Sequence, residues 1–535
     1  MRFHTLALSL LISAATFADD LPADRLFEQN GTIVGEIRLE KANVFNLSDP
    51  AENNWLYRLA NRLHIVTNDK VIRKQLLIQS GDTYSERLID ESERILRGNT
   101  YLFDARIKPT KVEAGVVDLT VHTRDVWTLN PDISLSRSGG ENRTKIGLED
   151  SNLFGSGQLL RVARTENIDR TEKTFEFADR HLGRSWIDAS LKFADNSDGK
   201  LNWLSVQRPF YALDARWSAG ATLLEHEKRD ALYRSGDEAA EYRQERDYFS
   251  AFGGWSKGLQ NGWARRWTAG AVFDDNRFSV VPNPELPALL PDNRKLVYPF
   301  ISVDILKDDY QTSTNHDQLG KTEDFYLGSR LFASLGWASE SFGADRNALI
   351  VSARASRGFG SLQKSALLLA ASVDGRVESG DARNTLLTAS ARYYQTQSAK
   401  RLFFMSLSVT AGHALDLDNP VHIGGNTGLR GYPLRYHSGD SKLLLTAEQR
   451  FFTDWYPFRL VRIGAAIFAD AGRVWGNNPV GPERSGWLTD VGFGLRFAPT
   501  RSSNRKMIHL DIAFPLGGDA SIDSVQILLE SKRRF

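Results

Sequence analysis

A Gly-rich stretch at residues 424–433 holds a single charged side chain, Arg430. The stretch has four glycines and one proline, a density that helices and central strands do not tolerate, so it predicts a structured loop. A planar guanidinium in such a loop is suited to bidentate binding of a carboxylate, and Asp470 in the stretch 467–472 is the candidate partner. The predicted chemistry is an ion pair that holds a loop. The alternative is a Gly-rich surface loop with no relation to that strand end.

Motifs of enzymes are incomplete in this sequence. Residues 226–230 begin like the helix of a zinc protease but end in Asp230 where a second histidine is required, so we interpret them as a charged loop. The Gly-rich stretch lacks the Lys-Ser/Thr pair of a phosphate-binding loop, and no Gly-x-Ser-x-Gly elbow occurs. The absence of cysteine excludes thiol nucleophiles and thiolate metal sites. We expect no enzyme, no metal and no cofactor; a barrel enzyme with a Ser/His pair at its rim is the alternative.

The N-terminus predicts that the protein is exported, and the charge balance bears on its partners. Residues 1–18 predict a cleaved secretory signal, with an apolar run at 6–17 and small residues before the cleavage point, and residues 19–30 are a short segment that follows it. No other apolar run reaches the roughly 20 residues that a membrane-spanning helix needs. The net charge is +1 over 535 residues, so nucleic acid is not an expected partner.

Residues 31–127 mix helix and strand signals. The periodicities predict, in order, a strand at 32–39, helices at 69–79 and 85–96, and strands at 101–112 and 116–123. This order predicts a small α+β domain. From the pattern alone, a generic exported α+β domain is equally compatible.

Residues 132–535 predict a mainly β structure, unlike the mixed region before them. Segments of about ten residues alternate apolar with polar between Gly, Asn, Asp and Ser turns, which is typical of a transmembrane antiparallel β-barrel. The alternation places Glu448 and Asp470 on the charged face of their strands, together with the small residues Gly464 and Ala466, which leave room for the loop. A soluble sandwich of this length would need interdomain linkers, and we identify none. We count about fifteen segments before the Gly-rich loop and five after it, about twenty in total.

These features together resemble the POTRA-plus-barrel outer-membrane proteins, a superfamily that includes BamA, TamA and the two-partner secretion transporters. The resemblance rests on one POTRA-like module at 31–127, an early hairpin at 152–157, the loop tetrad Leu429, Arg430, Gly431 and Tyr432, and the strand motif 468–472. It implies that the loop 418–440 folds into the lumen. It also implies that Arg430 bonds to Asp470 and Glu448 on a wall that includes Phe468 and Gly472, and that the barrel has sixteen strands.

Two departures from the family matter for function. Only one POTRA-like module fits before residue 132, where relatives carry several. The terminal strand 525–535 ends in the expected aromatic, Phe535, but three basic residues precede it, and we expect them at the periplasmic rim.

The resemblance implies a non-enzymatic factor for outer-membrane protein assembly or for polypeptide translocation. The alternative is an outer-membrane channel or lipid-remodelling barrel that kept the fold without insertase activity. The expected partners are the outer-membrane lipid bilayer and unfolded outer-membrane or secreted polypeptides. We expect a monomer in the bacterial outer membrane, with the POTRA-like domain in the periplasm.

Overall fold

The computed structural model describes residues 24–283, 285–481, 486–518 and 522–534. The predicted signal peptide at 1–18 and the C-terminal Phe535 lie outside the described residues. The described chain forms an N-terminal domain, residues 24–126, followed by a closed β-barrel. Within the described ranges, no helix is long and apolar enough to cross a membrane.

The N-terminal domain packs helices against a three-stranded sheet. Its elements are α1 (Asp24–Gln29), β1 (Ile33–Ala42), α2 (Trp55–Leu63), α3 (Asp69–Arg73), α4 (Glu86–Gly98), β2 (Leu102–Glu113) and β3 (Val116–Asp125). The central strand β3 runs parallel to β1 and antiparallel to β2, so β1 and β2 are the edges of the sheet. Ile72, Leu96, Val117 and Leu119 are at the centre of its apolar core.

The predicted order of strand, helix, helix, strand and strand is confirmed, with two differences. The predicted helix 69–79 ends at Arg73, because the chain then turns to bring Leu76 and Ile78 into the core while the Gln75 amide bonds to Val71 O at 2.9 Å. Helix α2 was not predicted. The signal was present: Asn54 caps the helix by accepting from Tyr57 N at 3.0 Å, just before apolar residues at helical spacing.

The barrel wall is a single antiparallel sheet that closes on itself. Its strands are β4 (Leu129–Pro131), β5 (Ser134–Ser138), β6 (Glu141–Asp150), β7 (Leu159–Glu166), β8 (Thr171–Asp179), β9 (Asp188–Asn196), β10 (Gly199–Arg208), β11 (Trp217–Arg234), β12 (Asp237–Gln260), β13 (Trp263–Val280), β14 (Arg294–Lys307), β17 (Arg330–Ala338), β18 (Ala348–Ser361), β19 (Ser365–Glu378), β20 (Asp381–Ser398), β21 (Arg401–His413), β24 (Ser441–Phe452), β25 (Val461–Trp475), β26 (Leu488–Pro499), β27 (Met507–Pro515) and β28 (Gln526–Lys532). Two hairpins lie outside the wall: β15 (Tyr310–Thr314) with β16 (Thr322–Tyr326), and β22 (Val421–Ile423) with β23 (His437–Gly439).

The strand count follows the alternation in the sequence. Both β4 and β5 pair with β6, so they are two parts of one first strand, and the described wall has twenty strands. The count of about twenty is therefore confirmed, and the expectation of sixteen is wrong. Residues 226–230, interpreted above as a charged loop, lie within β11, which pairs residue by residue with β12 over most of its length.

The outer surface of the barrel is apolar. Exposed leucines, isoleucines, valines and phenylalanines project outward from alternate wall positions. Trp217, Trp255 and Trp267 are all exposed, and the register aligns them side by side across β11, β12 and β13. Such a row of tryptophans suits the boundary between lipid tails and headgroups.

The N-terminal domain covers one end of the barrel, called here the domain-side end; the opposite one is the far end. Arg501, in the turn between β26 and β27, pairs with Glu52 and donates to Val44 O at 2.7 Å. Asn68 N donates to Gly155 O at 3.0 Å in the turn between β6 and β7. The connection between β14 and β17, residues 308–329, is called the domain-side hairpin because it contains β15 and β16 and contacts this domain.

Candidate functional site: the lumen loop and the wall that receives it

The connection between β21 and β24, residues 414–440, crosses the barrel interior and is called the lumen loop. It bonds to itself through Gly424 N to Gly428 O, at 3.0 Å. At one side of the barrel it reaches the turn between β5 and β6, where Leu434 N donates to Gly139 O at 3.2 Å. Arg435 makes two bonds of 2.9 Å to Asp169, between β7 and β8. The loop therefore reaches from the β24–β26 wall to the turns that follow β5 and β7 at the far end.

Arg430 is buried and bonds to two carboxylates of the wall. Its Nε donates to Asp470 Oδ2 at 2.7 Å and its Nη2 to Asp470 Oδ1 at 3.0 Å, a bidentate pair with β25. Its Nη1 donates to Glu448 Oε1 on β24 at 2.9 Å. The guanidinium carbon lies 3.4 Å from the centre of the Phe468 ring. The structure thus brings together Arg430, Asp470, Glu448 and Phe468. The two carboxylates and the face of the phenyl ring compensate the buried charge of the guanidinium.

The other residues of the tetrad fix the loop backbone. Gly431 N donates to Asp490 Oδ2 on β26 at 3.0 Å, and a methyl group on Gly431 would lie 2.7 Å from Asp490 Cβ. The Tyr432 hydroxyl lies 2.9 Å from both Thr489 O and Gly517 O, and the whole side chain is buried. Leu429 is buried in an apolar cluster with neighbours from the loop and the wall. Each of the four residues therefore has a contact that a different residue type would weaken.

Small residues at different positions on the wall make room for different segments. A methyl group on Gly472 would lie 2.5 Å from Ile423 Cδ1, so this glycine makes room for the lumen loop. Gly464 and Ala466 were expected to do the same, and this expectation is wrong. A methyl group on Gly464 would lie 3.3 Å from the δ carbons of Leu319, and Ala466 belongs to the same apolar cluster as Leu319. Leu319 belongs to the domain-side hairpin, so that part of the wall receives the hairpin.

Glu448 links the two inserted segments. Its Oε1 accepts from Arg430, and its Oε2 accepts from Arg450 Nε at 3.0 Å. Arg450 Nη1 then donates to the carbonyl of His316 in the domain-side hairpin at 2.7 Å. The Arg450 guanidinium also lies 3.6 Å from Asp317 Oδ1. A continuous chain of buried charges therefore runs from the lumen loop to the domain-side hairpin.

The N-terminal domain is bonded to the same hairpin. Arg97 at the end of α4 donates to both oxygens of Asp324, at 2.9 and 2.7 Å, and Arg106 Nη2 donates to Thr322 Oγ1 at 3.1 Å. The Arg94 guanidinium lies 3.7 Å from the centre of the Tyr310 ring. Burial alone would lower the pKa of Arg97, but the carboxylates of Asp324 and Glu93 outweigh burial and raise its pKa, so the charge is retained.

Several members of this network were not among the residues singled out from the sequence, including Asp490, Arg450 and Asp317. With a period of two residues, Arg450 shares a strand face with Glu448, and Asp490 shares one with Arg496; this was the available signal. Asp317 had no such signal, because it lies between β15 and β16. The predicted terminal residue Phe535 lies outside the described residues. No group of three or more His, Cys, Asp or Glu side chains in the described ranges is placed to hold a metal ion.

Comparison with known proteins supports the assignment of the N-terminal domain. The family model for POTRA, described as the surface antigen variable number repeat, matches residues 64–126. These residues include α3, α4, β2 and β3 in full. No curated protein matches the chain.

Solved structures with a distant likeness are barrel proteins. BamA from Haemophilus ducreyi lacking POTRA domains 1–3 is 13% identical with a TM-score of 0.35, over 93% of this chain and 84% of that one. CdiB from Acinetobacter baumannii is 14% identical with a TM-score of 0.47, over 94% and 74%. CdiB from Escherichia coli is 11% identical with a TM-score of 0.45, over 92% and 75%. The strand pairing of this chain and the POTRA match, rather than these solved structures, establish its architecture.

The arrangement of the site holds chain segments in place. Its charged groups bond to one another, and neighbouring side chains fill the space beside its glycines. A single POTRA module lies over one end of a closed barrel, and a lumen loop is fixed to the inner wall by an arginine. This protein therefore has the POTRA-plus-β-barrel architecture.

Proposed function

We propose that this protein is a non-enzymatic outer-membrane factor that handles other polypeptides, by inserting barrel proteins or by translocating secreted ones. The POTRA module lies in the periplasm in this proposal, and the client pairs with exposed strand edges. No cofactor takes part.

The observation that carries the proposal is the short seam at which the barrel closes. Within the described residues, β28 and β5 share one registered pair, Leu529 with Arg137, whereas β27 and β28 share seven. A strand pair with few ladder hydrogen bonds costs less to open than its neighbours. An opened seam presents unpaired N–H and C=O groups to an extended client strand.

The POTRA sheet offers a second edge for a client. The start of β1 is covered, because Val34 N donates to Asp82 O at 2.8 Å and Gly81 N donates to Val34 O at 2.9 Å. Strand β2 is engaged by α4, since Arg97 donates to Ala105 O at 3.0 Å. Farther along β1, the carbonyl of Ile37 accepts from Arg73 at 3.0 Å. We therefore assign client pairing to residues 38–42 of β1, which lie at the sheet edge beyond the covered part.

A channel or lipid-remodelling barrel is the rival function. The lumen loop, the domain-side hairpin and the N-terminal domain occupy the interior and one end of the barrel. A passive pore would need all three to move, and this favours the polypeptide proposal. A lipid-remodelling role would leave the protein inventory of the membrane unchanged.

Depletion of the protein, followed by proteomics of the outer membrane, tests the proposal. Selective loss of other barrels supports assembly, and loss of one secreted protein supports translocation. Altered permeability with an unchanged protein inventory would contradict both. A chain without residues 31–127 should keep its barrel, seen as heat-modifiable migration, and fail to restore the inventory; full restoration by this chain would exclude a role for the POTRA edge.

A further inference from the structure

Helix α2 of the N-terminal domain exposes a continuous apolar face. At about 100° per residue, Trp55, Leu56, Leu59 and Leu63 fall within an arc of about 100°. Their exposed fractions are 70%, 51%, 42% and 64%. Large apolar side chains grouped in this way on one helix face mark a binding surface rather than chance exposure.

The opposite face of α2 fixes its orientation. The Tyr57 ring stacks on Phe45 with ring centres 4.0 Å apart. The Asn61 side chain accepts from Phe45 N at 3.0 Å and donates to Phe45 O at 2.8 Å. Because these contacts hold the inner face, the helix cannot rotate to bury its leucines in the domain.

A third sector of the helix is basic. Arg58 and Arg62 lie next to Trp55 on the helical wheel, and both are exposed. A short helix with an apolar sector that contains tryptophan, beside a basic sector, is typical of helices that lie in a membrane interface.

Helix α2 is bonded to the rim of the barrel. The Tyr57 hydroxyl donates to the carbonyl of Phe458, in the turn between β24 and β25. Phe458 is 80% exposed and Trp455 in the same turn is 64% exposed. The inner face of α2 is therefore bonded to a rim turn that exposes two aromatic side chains.

The other side of α2 also borders the rim. Ile65, just past the helix, and Phe154, in the turn between β6 and β7, are both exposed. Ile65 lies beside this turn, since a methyl group on Gly155, the residue after Phe154, would lie 3.4 Å from Ile65 Cγ2. Helix α2 is thus flanked by exposed apolar rim residues from two separate turns.

We propose that α2 lies in the lipid–water interface beside the barrel, with its apolar face among the acyl chains and Arg58 and Arg62 at the phosphate groups. The occupant of this face is the bilayer, because both ends of the helix lie against rim turns that expose aromatic side chains at the edge of the barrel. A second copy of the chain would have to displace lipid from the barrel rim to cover it. The inference goes beyond the proposed function, since it holds whether the barrel handles polypeptides or not.

Site-specific labelling tests the proposal, because the chain has no cysteine and any introduced one is unique. Leu59→Cys carries an environment-sensitive fluorophore in the full chain, placed in nanodiscs of phosphatidylethanolamine and phosphatidylglycerol. A fraction of the lipids bears a nitroxide quencher near the headgroup end of the acyl chain. The matched control is Leu26→Cys, an exposed leucine on α1 of the same domain.

We expect strong quenching of the Leu59→Cys label and little quenching of the Leu26→Cys label. When Trp55→Gln and Leu63→Gln are added to Leu59→Cys, the label should lose most of its quenching. Heat-modifiable migration of this triple variant should still show an intact barrel. Equal quenching at Leu59 and Leu26 would overturn the proposal. Energy transfer between labelled copies, without lipid quenching, would also overturn it and assign the face to a second protomer. If the triple variant does not fold, the comparison of the two single labels decides.

Discussion

Arg97 of the POTRA module and Asp324 of the domain-side hairpin form a bidentate ion pair across the boundary between the module and the barrel, with bonds of 2.9 and 2.7 Å. Through Asp317, Arg450 and Glu448, the same hairpin is joined to Arg430 of the lumen loop. The position of the POTRA module and that of the loop are therefore linked by adjacent charged pairs.

Replacing Asp324 with alanine should loosen the POTRA module, because it leaves the buried Arg97 with one carboxylate instead of two. The expected local cost is about 3 kcal/mol. Hydrogen exchange should rise in residues 94–106 and 308–329. The matched control is Asp345→Ala, which removes a bidentate partner of Arg346 at the far end. An unchanged exchange pattern at the boundary in Asp324→Ala would show that the pair does not hold the module.

Arg430→Ala and Asp470→Ala should give similar defects, and the double variant should be little worse than either. Arg430→Ala leaves the buried Asp470 without its bidentate partner, and Asp470→Ala leaves the buried Arg430 with Glu448 alone. Each change costs about 3–5 kcal/mol locally, while the strand ladder holds the barrel. Protease sensitivity of the lumen loop measures the defect, and heat-modifiable migration shows that the barrel persists. Strictly additive defects would mean that the two side chains are not coupled.

Gly431→Ala should displace the lumen loop without charge loss. The new methyl group would lie 2.7 Å from Asp490 Cβ and 3.2 Å from Pro515 N, and overpacking of this kind costs about 1–3 kcal/mol. Gly253→Ala on β12 is the matched control, since no heavy atom lies within 4 Å of its added methyl group. Loop protection against protease should fall in the first variant alone; equal protection in both would mean that the loop tolerates the extra volume.

Asp125 of β3 makes the POTRA module sensitive to pH. Burial raises the pKa of Asp125 to about 6, although Thr67 donates to it from its backbone N and its hydroxyl. Because the folded pKa exceeds the ordinary value of 3.8, the contribution of Asp125 to stability is fully present below pH 4 and is lost as pH rises through 6, by about 3 kcal/mol.

Hydrogen exchange of residues 102–125 in the full chain, corrected for the intrinsic rate, measures this change. Asp125→Asn should flatten the profile, since an amide oxygen can still accept from Thr67. Glu113→Gln, at an exposed carboxylate of the same sheet, should leave the wild-type profile intact. A pH-independent wild-type profile would contradict the assignment.

The strand alternation made much of the barrel predictable. With a period of two residues, the positions of Glu448 and Asp470 on the charged face of β24 and β25 followed from their neighbours alone. Counting the alternating segments gave the correct strand number, and the family expectation of sixteen did not.

Contacts set by chain packing were not predictable from the sequence. The sequences of the short strands β15 and β16 carry no signal that distinguishes the domain-side hairpin from two strands of the barrel wall. Whether a strand belongs to the wall depends on which strands it pairs with. The room at Gly464 was recognised, but its occupant, Leu319, depends on how the hairpin folds inward. The contact between Arg450 and Asp317 also depends on how the hairpin folds inward.

The seam between β5 and β28 tests the proposed function most directly. Leu529 and Arg137 are registered partners, and opposed residues in antiparallel strands have Cα atoms about 4.5–5.5 Å apart, within disulfide range. The double variant Arg137→Cys and Leu529→Cys locks the seam on oxidation. Its matched control, Leu510→Cys with Leu529→Cys, links β27 to β28 and leaves the seam free. The measurement is restoration of the outer-membrane and secreted protein inventory in depleted cells, before and after reduction. We predict that the locked seam abolishes restoration until the disulfide is reduced, while the control restores the inventory in both states; full restoration by the oxidised, locked barrel would contradict client handling at the seam.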